Sequence, residues 1–206
     1  MGNLSTFFPA ASSTNVLEIV QGTADGRTVT VNDNSYVLQN VTSKQFGTTS
    51  YATVTGSPIT YTPPADAKSV LYRFDMKWGS RYNTNNTRGS TGISHYYIDI
   101  DGTVITKSKT TISSNYSGNH NSFHPGWTHT FYWVFDLTVS SDNASQGKFA
   151  NWTSDKTISI KFRDYSSTYR SAPHSNYWRD GGNLYSGGNS DTYSWRKPTL
   201  TIIAYG

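Results

Sequence analysis

Between Ser69 and Trp78 the chain alternates without a break, with Val70, Tyr72, Phe74, Met76 and Trp78 on one side and Leu71, Arg73, Asp75 and Lys77 on the other. A period of two over such a length means a β-strand with one buried face and one mostly wet face. The same period returns in Thr130–Val139, where Phe131, Trp133, Phe135, Leu137 and Val139 share a side. It returns again in Thr157–Phe162, through Ile158, Ile160 and Phe162, and in Thr199–Ala204, through Leu200 and Ile202.

Shorter strand patterns fill the spaces between: Asn15–Val20, Arg27–Val31, Tyr36–Thr42, Pro58–Thr62, Ser94–Asp101 and Thr103–Thr106. Turn signals separate them at Asp25-Gly26, Asn32–Asn34 and Asp101-Gly102. The Asp-Gly pair between two strand patterns predicts a hairpin, because both turn residues need positive φ. Pro63-Pro64 must stop the strand before it, since neither residue has an N–H to give to a ladder. Regular short strands of this kind, roughly nine to eleven, predict an all-β fold: an antiparallel β-sandwich, jelly-roll-like, with long aromatic-rich loops at 79–93, 113–128 and 164–198. The chain has 206 residues, a length that suits one large β domain. The expected organisation is an N-terminal arm over 1–14 and a single sandwich domain over 15–206. The arm carries Leu4, Phe7 and Phe8. It is either a frayed terminus or an anchor that packs into a neighbouring subunit.

Only 15% of the residues are charged and 15% are aromatic. An average domain carries roughly 25% charged residues, so the surface here is polar mainly through Asn, Ser, Thr, Gly and Tyr. Glu18 is the only glutamate, which argues against long solvated helices. The net charge of +4 is scattered, with no Lys/Arg run to mark a nucleic-acid arm, so nucleic acid is not an expected partner. The chain has no cysteine, which removes disulfides and cysteine metal sites. Met1–Pro9 lacks the pattern of a signal peptide, and no segment is apolar enough to insert in a membrane. A protein of this kind that works outside a cell is expected to leave by lysis or within a particle.

No catalytic residue is assigned and the chain is not expected to be an enzyme. It has no G-x-S-x-G elbow, and Asp25, Asp33, Asp101 and Asp142 fall in turns where Asp is a structural choice. No spacing among Asp75, Asp99, Asp136 and Asp164 supports a glycosidase pair. Asp99-Ile100-Asp101-Gly102 resembles part of a calcium loop, but Tyr97 and Ser108 would occupy its first and last ligand positions, so a plain hairpin is the better reading. His120, His124 and His129 are close in sequence without a helix or a cysteine to complete a site; a polar loop is preferred over a metal shared on a trimer axis. No metal or cofactor is assigned. What remains is aromatic. Tyr177, Trp178, Tyr185, Tyr193 and Trp195 are interleaved with Arg170, Arg179 and Arg196 in the 164–198 segment. Such residues build protein interfaces, cap the end of a sandwich, or stack on glycans. The interface or ligand candidates are therefore Phe7, Phe8, Tyr177, Trp178, Arg179, Tyr185, Tyr193 and Trp195.

Several stretches resemble a module common in structural proteins of marine tailed bacteriophages, especially those of cyanobacteria. They are Gly26–Val31 (GRTVTV), Tyr36–Thr42 (YVLQNVT), Ile59–Pro64 (ITYTPP), Val70–Phe74 (VLYRF), Tyr97–Thr103 (YIDIDGT) and Trp133–Phe135 (WVF). The resemblance spans roughly residues 20–206, and ITYTPP and YIDIDGT are its most specific parts. It implies a virion protein, a capsid decoration or tail-fibre-like module, made in the host cytoplasm and carrying no catalytic residues. It also implies copies of itself, a trimer above all, and other virion proteins as partners. A receptor- or glycan-binding tail-fibre or adhesin domain, touching a host-surface glycan, is the alternative. The chain has neither sequence repeats nor heptads for a long shaft, which suits a knob or a small terminal module better than a whole fibre.

Overall fold

A computed structural model describes residues 15–80, 92–114, 127–176 and 195–206. Its strands, in chain order, are β1 (Val16–Thr23), β2 (Thr28–Val31), β3 (Asn34–Val37), β4 (Ala52–Thr53), β5 (Ile59–Tyr61), β6 (Ser69–Ser80), β7 (Gly92–Ile100), β8 (Thr103–Val104), β9 (Thr110–Ser114), β10 (Trp127–Asp136), β11 (Lys156–Asp164), β12 (Ser171–Pro173) and β13 (Thr199–Tyr205). Among the described residues there is no α-helix, only short 3-10 turns at Thr106–Ser108 and Ala144–Gln146. The longest alternating run of the sequence becomes β6, the spine of the first sheet. That sheet has the order β1-β13-β6-β10, with β12 also on β6. The second sheet has the order β4-β11-β7-β8, with β5 on β11 and β9 on β7. Strands β2 and β3 form a separate hairpin, and all these pairings are antiparallel.

The two sheets pack face to face as a sandwich. Tyr72, Phe74, Met76 and Trp78 point inward from β6, and Phe131 and Phe135 from β10. They meet Tyr96, Ile98 and Ile100 of β7 and Ile158, Ile160 and Phe162 of β11. Tyr96 joins the layers, with ring centroids 5.0 Å from Phe131 and 5.7 Å from Phe162. Trp78 hands its indole N–H to Ser94 Oγ at 3.1 Å, which settles the one polar atom of the largest buried side chain.

Two tight turns follow the expected chemistry. Asp101 and Gly102 have φ of 49° and 82° and join β7 to β8, while Asn32 and Asp33 have φ of 47° and 65° and join β2 to β3. Strand β5 ends at Tyr61, just before the double proline. Other boundaries differ from expectation. Thr130–Val139 is displaced: β10 begins at Trp127 and ends at Asp136. The Asp136 carboxylate accepts the N–H and the hydroxyl of Thr138, and that local turn stops the strand. Tyr36–Thr42 is paired only to Val37. Leu38 and Val41 stay buried, but their N–H groups bond to Arg27 and Ala24 outside the hairpin ladder. Strand β4 was not expected. Strand β9 reaches two residues into the loop expected at 113–128, and β12 lies inside the one expected at 164–198.

Candidate functional site

The aromatic segment singled out by the sequence has its two feet on the first sheet. Pro173 ends β12 and His174 follows with φ of 67°. Ser175 bridges to Trp195, and the Arg196 N–H donates to the His174 carbonyl at 2.8 Å, which draws the two feet together. Trp195 is half-buried at the returning foot, with the Lys197 ammonium 5.7 Å from its ring centre. The other candidates, Phe7, Phe8, Tyr177, Trp178, Arg179, Tyr185 and Tyr193, lie outside the described residues. His174 itself is fully buried, and neither ring nitrogen makes a well-formed hydrogen bond among the described residues. Burial pushes its pKa down to about 4, an effect that the nearby Thr55 backbone offsets only in part.

The carboxylates weighed for catalysis are engaged elsewhere. Asp75 binds Arg73 and Thr130 on the outer face of the first sheet. Asp164 faces the interior and accepts from the Ser171 N–H and hydroxyl. Asp99 and Asp101 accept the backbone N–H groups of Gly102 and Thr157, so the calcium-like fragment is a hairpin whose acids hold the main chain. Among the described residues no three His, Cys, Asp or Glu side chains gather as a metal site. His129 sits edge-on to Trp78, and burial lowers its pKa; His120 and His124 are outside the described residues.

Three surface features stand out instead. The first is the edge of the first sheet. Strand β10 pairs with β6 over its whole length, and among the described residues its other side has no strand partner. Asp136 exchanges backbone bonds with Gly147 and Phe149 on that other side. Backbone bonding alternates along an antiparallel strand, so Thr128, Thr130, Tyr132 and Val134 turn their N–H and C=O groups outward as well. No Lys, Arg, Asp, Glu or Pro interrupts Trp127–Phe135. Tyr132 and Val134 are 66% and 53% exposed. Val134 begins an aliphatic row that crosses the outer face through Leu71 and Ile203 to Ile19.

The second feature is the outer face of the second sheet. Cross-strand register sets Thr53, Lys161 and Tyr97 in one row and Arg163, His95 and Thr111 in the next. Tyr51, immediately before β4, lies 4.7 Å from Tyr97 by ring centres and carries the Arg163 guanidinium 5.3 Å from its own. His95 is 5.8 Å from Tyr165, which is 6.1 Å from Tyr169.

The third is a cleft of about 590 Å³ between the β2–β3 hairpin and the end of β5. Glu18, Tyr36, Thr62, Pro63 and Asp155 help line it. Glu18 is almost completely buried and accepts the Tyr36 hydroxyl at 2.8 Å; Asp155 accepts Thr62 at 2.6 Å. Burial and the Glu18 charge together push the Tyr36 pKa far above its usual value.

Sequence reasoning missed the second and third features. The signal for the second was present, since Tyr97, Lys161 and Arg163 occupy outward positions of alternating strands. The neighbour that completes it, Tyr51, comes from a stretch without a strand pattern. No protein-family model matches the chain, and a search of curated proteins finds no relative.

Proposed function

We propose that the chain is a non-enzymatic structural protein of a bacteriophage virion, a capsid decoration or small appendage module that assembles with copies of itself and with other virion proteins. The observation that carries this reading is the edge of β10, which has no strand partner among the described residues. A long edge strand without charged residues is a template for pairing with another chain, and proteins that must stay single guard such edges with lysine, proline or a bulge. Here none of the three interrupts Trp127–Phe135, and the aliphatic row beside it extends the surface that a neighbour would cover. The motifs that resemble phage structural modules support the same reading. ITYTPP forms β5 and the wall of the cleft, and YIDIDGT forms the β7–β8 hairpin. A jelly-roll-like course of the chain belongs to this proposal.

Mass spectrometry of purified particles tests it. The chain is expected among the particle proteins; hundreds of copies place it on the capsid and a handful on the tail. Its absence from the particles contradicts the proposal. A second reading, a receptor- or glycan-binding domain, is favoured by the ring-and-cation surface on the second sheet.

A further inference from the structure

We propose that the outer face of the second sheet binds an acidic polysaccharide. This rests on the glycan-binding reading and names its site and the charge of its ligand; it does not depend on where the protein sits in a particle.

The face is built by the sheet itself, so its side chains are held in register. Tyr51, Arg163, His95 and Thr111 lie on neighbouring segments of one row, and Lys161 and Tyr97 fill the next. Strands about 4.8 Å apart make such a row roughly 14 Å long, enough for a short run of sugar rings. Tyr51 is 46% exposed and Tyr165 54% exposed, while Tyr97, His95, Lys161 and Arg163 are half-buried. Exposed tyrosine rings offer flat apolar faces with a hydroxyl at the rim, the chemistry that the C–H faces and hydroxyls of a sugar match.

The cations decide the charge. Ion pairs among the described residues include Arg27–Asp25, Arg73–Asp75 and Lys156–Asp101, and none of these uses Lys161 or Arg163. Among the described residues Lys161 donates only to the Thr53 hydroxyl, at 2.7 Å. Arg163 rests over Tyr51 and keeps its fork of N–H donors for a carboxylate or sulfate. The acid on the face, Asp99, is 7% exposed and turned to the Gly102 N–H. Cations that form no ion pair among the described residues, set between rings, fit a ligand with both negative charge and sugar faces. A nucleic-acid groove tracks the phosphates with more cations than this face supplies.

Affinity electrophoresis of the full chain through gels containing polygalacturonate, dextran sulfate, neutral dextran or a single-stranded oligonucleotide tests the proposal. Retardation by polygalacturonate or dextran sulfate is expected, and the two separate a carboxylated from a sulfated ligand. Arg163→Gln is expected to weaken retardation about tenfold, by loss of a charge-assisted donor fork. Tyr51→Ala is expected to weaken it roughly fivefold, by loss of the ring and its cation contact. Arg27→Gln, which removes an exposed cation paired with Asp25 outside both the β10 edge and this face, should leave it unchanged, and Lys161→Gln repeats the charge test at a second position should Arg163→Gln not fold. No retardation by either acidic polymer overturns the proposal, as does retardation indifferent to these substitutions or stronger with the oligonucleotide. Neutral dextran held through Tyr51 removes the acidic ligand yet leaves the glycan-binding reading standing; no glycan held at all removes both.

Discussion

His174 combines two costs in one residue. Its φ of 67° is a left-handed conformation uncommon for any residue with a side chain, though less so for Asn, Asp and His, and its imidazole is wholly buried without a well-formed hydrogen bond among the described residues. The surroundings enforce both: its N–H donates to the Lys77 carbonyl at 2.7 Å and its own carbonyl accepts Arg196. Burial lowers the pKa from 6.5 to about 4. Across that interval the unfolded chain takes up a proton that the folded one refuses. Stability from this residue is therefore complete above pH 6.5 and is lost as pH falls toward 4, by up to roughly 3 kcal/mol. Urea unfolding at pH 7 and pH 4.5 should show this loss in the wild type, and His174→Met should remove that part of the slope. An equal slope in the two proteins would mean that the histidine is protonated in the fold. Glu18 is the other residue whose setting the sequence concealed. It is the only glutamate, and it is 4% exposed and accepts the Tyr36 hydroxyl. Glu18 shares the inward face of β1 with Val20, while the apolar Leu17 and Ile19 beside it fall on the other face, so apolarity alone does not show which face turns in.

At the scale of the element, two glycines with positive φ separate backbone need from packing need. Gly102 closes the β7–β8 turn at φ of 82°, and a Cβ there would meet nothing within 4 Å. Gly147 follows a 3-10 turn at φ of 70°, and a Cβ there would collide with the Trp133 indole. Gly102→Ala is expected to cost about 1 kcal/mol from strain alone. Gly147→Ala adds overpacking and should cost about 3 kcal/mol in urea denaturation; equal costs would contradict this distinction. The same contrast explains what the sequence revealed. Turns with a chemical signature, Asn32-Asp33 and Asp101-Gly102, were legible, and so were the strands with five or more alternating positions. Strands β4 and β12, two and three residues long, carry too few positions to show a period. Their existence depends on the neighbours they meet, β11 and β6, far away in sequence. The basic-aromatic face was hidden for the same reason: Tyr51 and Arg163 become neighbours only through that pairing.

At the scale of the whole molecule, the two outer faces differ in chemistry. The first sheet turns out an aliphatic row and an edge with no strand partner among the described residues; the second turns out tyrosines, a histidine and cations that form no ion pair among the described residues. A β sandwich with one face for its own copies and the other for a ligand suits a module repeated on a surface. Pairing between two identical edges is isologous and joins copies two by two, so a trimer requires a contact beyond β10. Sedimentation velocity of the wild type beside Thr128→Pro and Tyr132→Lys addresses self-assembly directly. Proline at an outward-facing N–H is tolerated within an edge strand but blocks a new ladder, and lysine guards the edge by charge. The wild type is expected to sediment as an oligomer and both variants as folded monomers. A monomeric wild type, or variants that keep its oligomeric state, would contradict assembly through the β10 edge.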